Sequence, residues 1–161
     1  MPGPDTLATI QIGLISDTHG LLRPAALKEL RGVQQIIHAG DVGTPEILKE
    51  LAAIAPLTAV RGNVDRGYWA NRLPRTAVVE VGGVRIYVLH EFEKLDLDPK
   101  AAGFAAVITG HTHRAALKER DGVLYFNPGS AGPRRFSLPI TMGRLIVEGG
   151  KVRGEIVALE P

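Results

Sequence analysis

Apolar residues come in short runs, each closed by a polar or glycine-rich break. Thr9–Ser16 is one such run and has the length of a strand; it ends in Ser16-Asp17-Thr18-His19-Gly20. Pro24–Leu30 then reads as a helix with Pro24 in its first turn. A second apolar run, Val33–Ala39, stops at Gly40-Asp41. Thr44 follows as an N-cap with Pro45 at the first helical position, and Ile47, Leu48, Leu51 and Ile54 repeat at helical spacing until Pro56. Leu57–Val60 is a third strand and runs into Arg61-Gly62-Asn63. This β-α-β-α-β order predicts parallel strands.

Beyond residue 75 the pattern changes to hairpins. Gly82-Gly83 separates Thr76–Val81 from Val84–Leu89, Asp121-Gly122 separates Ala115–Glu119 from Val123–Phe126, and Gly149-Gly150 separates Arg144–Val147 from Val152–Val157. Between the first two lies a buried-type strand, Phe104–Thr109, ending in Gly110-His111-Thr112-His113, with a short helix expected near Pro99–Ala102. The expectation is an α/β fold of two packed mixed β-sheets flanked by helices. A flexible N-terminus over residues 1–8 would precede a single domain over residues 9–161.

Composition narrows the classes. The chain has 161 residues, 45% of them hydrophobic and 22% charged, which is the make-up of one globular domain. It has no cysteine, so disulfides, thiolate metal sites and cysteine nucleophiles are excluded. Nineteen basic against 17 acidic residues leave a net charge of +2, too little to make nucleic acid a default partner. No apolar run approaches the roughly 18–20 residues that span a bilayer, and Met1–Leu7 lacks the basic-then-apolar pattern of a signal peptide. No membrane association and a cytoplasmic, reducing location are the corresponding expectations.

The chemistry gathers at strand ends. Asp17 and His19, Asp41, Asn63, His90, and His111 with His113 each stand at or just past the C-terminal end of an expected strand. Ligands of α/β sheets bind outside such ends. Turn chemistry accounts for Asp, Asn and Gly there, but it does not ask for histidine. Four of the five histidines fall in these clusters; the fifth, His38, lies inside an apolar strand and reads as structural. Imidazole with carboxylate suits Mn, Fe, Co, Ni or Zn, and a pair of such ions clamps a phosphoryl group.

The ordered set Asp17-Thr18-His19, Gly40-Asp41, Gly62-Asn63-Val64-Asp65, His90 and Gly110-His111-Thr112-His113 resembles the calcineurin-like metallophosphoesterase family, and Asn127-Pro128-Gly129-Ser130 resembles its small YfcE-type phosphodiesterase branch. The resemblance implies a four-layer αββα sandwich and hydrolysis of a small phosphate ester, with a phosphodiester as the expected substrate. It implies two divalent ions, Mn first and Fe, Ni, Co or Zn as alternatives. Asp17, His19 and His113 would hold one ion, Asn63, His90 and His111 the other, and Asp41 both. A hydroxide bridging the ions would attack phosphorus in line. Asp41, Asn63 and His111 would be the catalytic residues, with Asn63, Asp65 and Arg66 on the substrate side, or Asp65 behind them, orienting a ligand or Arg66.

Two positions depart from that pattern. Val64 stands where many members have a histidine that protonates the leaving oxygen, which implies a preference for good leaving groups such as aryl esters. Glu91 stands where the branch usually has glycine, and it could narrow the site, repel an anion or face solvent. Tyr68 and Trp69 read equally as a substrate mouth or as packing, and Arg134 and Arg135 as phosphate-steering groups or solvated surface. The rival reading is a non-catalytic protein-interaction scaffold of the same fold, like the retromer subunit. A nucleotide-binding regulator is weaker, because no Gly-x-x-x-x-Gly-Lys loop occurs. Exposed hairpin edges could pair two chains as a homodimer.

Overall fold

The computed structural model describes residues 9–159. The N-terminal segment expected to be flexible, residues 1–8, lies outside the described residues. Ten strands form two five-stranded sheets. The first contains β1 (Ile10–Ile15), β2 (Gln35–His38), β3 (Leu57–Ala59), β9 (Thr141–Glu148) and β10 (Lys151–Ala158), in the order β10-β9-β1-β2-β3. The second contains β4 (Thr76–Val81), β5 (Val84–Leu89), β6 (Ala106–Ile108), β7 (Ala116–Arg120) and β8 (Val123–Asn127), in the order β4-β5-β6-β8-β7.

The second sheet has a parallel centre and antiparallel margins, whereas the first is parallel from β1 to its β3 edge and antiparallel from β1 through β9 to β10. β1, β2 and β3 run parallel, as do β5, β6 and β8; the three expected hairpins supply the antiparallel pairs β4–β5, β7–β8 and β9–β10. The period of two along β1 explains the layering. Ile12 and Leu14 enter the core between the sheets, where Ile86, Val88, Ile108, Phe126 and Leu145 meet them. Ile15 faces the other way, against Leu30, Ile47 and Leu51. Complete burial of each such side chain contributes about 1.5–3 kcal/mol.

Two short helices, α1 (Pro24–Glu29) and α2 (Pro45–Ala52), cover the outer face of the first sheet. Both start with proline at the position where its missing N–H costs nothing. The outer face of the second sheet is covered differently. Tyr87, Leu89, Phe104 and Val107 are packed under a segment whose only helical piece is a 3-10 turn, Phe92–Lys94. The helix expected near Pro99–Ala102 is a run of hydrogen-bonded turns. Gly103, at φ 82°, ends it after four residues, too few to propagate a helix. A four-residue helix that the apolar pattern does not predict, α3 (Tyr68–Asn71), follows the Asn63 loop. The parallel strands of both sheets deliver their C-terminal ends to one rim, and the polar residues sit there.

Candidate metal centre

The loops leaving the strands are stitched to one another before any side chain is considered. Asp17 N–H donates to Gly40 O at 3.0 Å, His19 N–H to Asp41 O at 2.9 Å, and Gly110 N–H to His90 O at 2.9 Å. Two glycines permit this approach. A Cβ on Gly62 would lie 2.1 Å from Asp41 N, and one on Gly110 would lie 2.1 Å from Ser16 Oγ. Asp17, His19, Asp41, His111 and His113 all have positive φ, from 46° to 74°. Among the described residues only two other non-glycine residues do, Asp121 and Phe136. Left-handed backbone of this kind clusters at functional sites.

All seven expected ligands converge. One oxygen or nitrogen from each of Asp17, His19 and His113 lies within 4.8 Å of the others, and the same holds for Asp41, His90 and His111. His19 Nε2 is 3.2 Å from His113 Nε2, and Asp17 Oδ1 is 3.7 Å and 3.5 Å from those two nitrogens. Asn63 Oδ1 lies 2.9 Å from His90 Nε2 and 3.1 Å from His111 Nδ1. Asp41 Oδ2 stands between the sets, 3.1 Å from His90 Nε2 and 3.7 Å from His19 Nε2. Ligand atoms about 2.1 Å from a common ion are about 3.0 Å apart in an octahedron and about 3.4 Å in a tetrahedron, so these spacings suit coordination.

Hydrogen-bond valence makes the same case independently. Nδ1 of His90 is 2.7 Å from Ala39 O and donates to it, so Nε2 is the ring nitrogen that faces Asn63 Oδ1 and Asp41 Oδ2: a neutral ring offers them a lone pair, and a protonated ring donates to Asp41. Asp17 is wholly buried; its Oδ2 accepts from Ser16 Oγ (2.8 Å) and His111 N–H (3.1 Å), while its Oδ1 has no hydrogen-bond partner. A buried carboxylate oxygen left bare among imidazoles fits a cation.

The titration shifts follow from the same burial and the same close charges. Burial alone would lower the pKa of His90, but its hydrogen bond to Asp41 and the Asp17 and Asp41 charges raise it above the ordinary histidine value. Burial alone would raise Asp41; the His90 hydrogen bond, the Val64 N–H and the His90 and His19 rings hold it below the usual carboxylate range. His113 is lowered, chiefly by burial, with Arg135 and His19 adding to the effect against Asp17.

Residues 10–150 match the calcineurin-like phosphoesterase superfamily domain. The chain belongs to this family. It is 34% identical over 158 residues to a probable metallophosphoesterase of Methanothermobacter thermautotrophicus, covering 91% of each chain. A solved archaeal phosphodiesterase is 27% identical with a TM-score of 0.76, over 92% of this chain and 100% of that one. Chaetomium thermophilum Vps29 shares the fold at 24% identity and a TM-score of 0.76, over 94% and 100%.

Other residues of this phosphoesterase domain hold the rim in shape. Asp65, expected on the substrate side, is 1% exposed, and its carboxylate accepts from the N–H groups of Gly62 (2.9 Å), Gly43 (3.1 Å) and Val42 (3.2 Å). It therefore ties the Asp41 loop to the Asn63 loop and has no free face for a substrate. Asn127 donates to Gly110 O and Thr112 Oγ1 and holds the His111–His113 segment; Ser130 donates to Asp17 O. His38 is buried as expected. Its Nδ1 accepts from Gly40 N–H, so Nε2 donates to Thr18 Oγ1, which donates on to Val42 O. Ser16 and Thr18 carry no sequence signal beyond standing beside Asp17.

The remaining expectations divide. Arg66 is exposed, with no ion pair among the described residues. Trp69 packs into the core under the helices, whereas Tyr68 is 91% exposed. Val64 is exposed beside Asn63 and its N–H holds Asp41 Oδ1 at 3.0 Å. Glu91 is half-buried and pairs with Lys94 at 3.7 Å. Arg134 and Arg135 are exposed, and Arg134 donates to Leu138 O at 3.4 Å. No helix among the described residues is long and apolar enough to cross a membrane.

Proposed function

We propose that this chain is a metal-dependent phosphoesterase acting by preference on phosphodiesters. Asp17, His19 and His113 would hold one divalent ion and Asn63, His90 and His111 a second, with Asp41 shared; Mn is the first candidate, then Fe, Ni, Co or Zn. When bound, such ions supply Lewis acidity toward phosphoryl oxygens and a nucleophile near neutral pH. The observation that carries the reading is the bare Oδ1 of buried Asp17 beside a second cluster of ligand-type atoms on His90, Asn63 and Asp41.

The chain's own groups set the rest. Ala39 O fixes the His90 tautomer, and Val64 N–H holds Asp41 Oδ1 so that Oδ2 faces the site. Asn63 contributes a neutral oxygen and keeps the net negative charge at two carboxylates. Valine at 64 cannot donate a proton, so a leaving oxygen departs carrying its own charge, and acidic leaving groups react faster.

The test is turnover of bis(p-nitrophenyl) phosphate by protein stripped with a chelator and then given one metal at a time. Loss on stripping and return with Mn support the reading. A protein inert under every metal overturns it and favours the scaffold role.

A further inference from the structure

A cleft of about 260 Å³ adjoins the candidate centre and shares Asn63 and His90 with it. Its lining also carries Arg61, Arg75 and Lys94 against one carboxylate, Glu91. These groups come from segments that leave the Asn63–His90 half of the rim. Arg61 lies just past β3, Arg75 just before β4, and Lys94 ends the 3-10 turn after His90. Arg61 N–H donates to Pro74 O at 2.8 Å, which holds the two arginine-bearing segments side by side.

The charges are unequally satisfied. Glu91 is drawn to Lys94 at 3.7 Å. Arg61 spends only its Nε, on Asp65 O at 3.1 Å, and this bond fixes the guanidinium. Arg75 is exposed, and neither arginine has a carboxylate partner among the described residues. Two arginines whose Nη groups have no protein partner among the described residues thus line a cleft beside the candidate centre, and the planar guanidinium suits bidentate contact with phosphate. A single charged phosphodiester already engaged at the rim leaves this cleft unfilled.

Building on the phosphoesterase reading, we infer that the cleft binds a second phosphate, borne on the substrate arm beyond the reacting phosphoryl group. The substrate class is then a phosphate ester with a further phosphate, and Arg61 and Arg75 are its specificity-determining residues.

Two probes with the same leaving group test this: thymidine 5′-(p-nitrophenyl phosphate) and its 3′-phosphorylated form. The expected kcat/KM is at least tenfold higher for the phosphorylated ester, mostly through KM. Arg75→Gln, at an exposed position, should lower that preference to threefold or less, and Arg61→Lys should lower it in part. Equal kcat/KM for the two esters, or a preference unmoved by both variants, overturns the inference. A second readout is free of turnover: inorganic pyrophosphate titrated calorimetrically into chelated protein. Binding weakened tenfold by Arg75→Gln supports the cleft; binding that is absent or unchanged overturns it. Pyrophosphate binding without hydrolysis of either ester under any metal keeps the anion cleft and removes the phosphoesterase reading instead.

Discussion

Replacing Asp65 separates a structural role from a substrate role. Its carboxylate receives three backbone N–H groups, on Gly62, Gly43 and Val42, at 2.9–3.2 Å, and it is 1% exposed. A hydrogen bond to a charged group is worth about 1.5–3 kcal/mol, and an orphaned buried donor costs about 1–3 kcal/mol. Two of the three donors are buried and one is part-buried, so Asp65→Ala should destabilise the protein by about 4 kcal/mol. For a chain of this length that is a fall in Tm of roughly 12 °C. Asp65→Asn keeps an acceptor and should cost about half as much. The assay is thermal unfolding in a chelator, so that bound metal does not enter. Because Asp41 and Asn63 sit on the two loops joined here, the alanine variant should also bind metal more weakly. A Tm within about 2 °C of the parent, with only KM raised, would refute this reasoning and return Asp65 to the substrate side.

Three further outcomes follow from the same geometry. His38 is fully buried with its pKa lowered to about 4 by burial, so the unfolded chain binds the extra proton first. Stability should fall by about 1.4 kcal/mol per pH unit between 6.5 and 4, about 3 kcal/mol in all, and urea titrations of His38→Gln should show a flatter profile; an equal slope in both would contradict it. Asp17→Asn removes the bare buried charge, so the chelated variant should be at least as stable as the parent while losing the Tm rise on adding Mn; a retained rise would remove Asp17 from the ligand set. Across a phosphodiester series, rates should climb steeply as leaving-group pKa falls, and Val64→His should speed alkyl esters on the order of 100-fold; a flat dependence in the parent would contradict the missing-acid account.

The strands and hairpins were legible because each apolar run ends in a polar break of a known kind. Gly82-Gly83, Asp121-Gly122 and Gly149-Gly150 specify hairpins locally, and proline at positions 24 and 45 marks two helix starts. The candidate ligands were legible for a similar reason, since histidine at a strand end has no turn-forming excuse. What escaped depends on contacts between loops distant in sequence. Asp65 reads as a substrate-side residue until the Val42–Gly43 segment is seen to lie against it. Ser16 matters only because its hydroxyl turns Asp17 so that Oδ1 faces the histidines. Pro99–Ala102 reads as helix because proline in the first turn and alanine favour one, but Gly103 closes the segment too soon and leaves only turns.

The central claim is a pair of cation sites built from side chains at five strand ends. Metal analysis of chelated protein re-equilibrated with Mn by dialysis tests it most directly. Two Mn per chain, with a marked loss in Asp41→Ala because both sites share that carboxylate, is the predicted result; no tightly bound Mn, or binding untouched by Asp41→Ala, would contradict it.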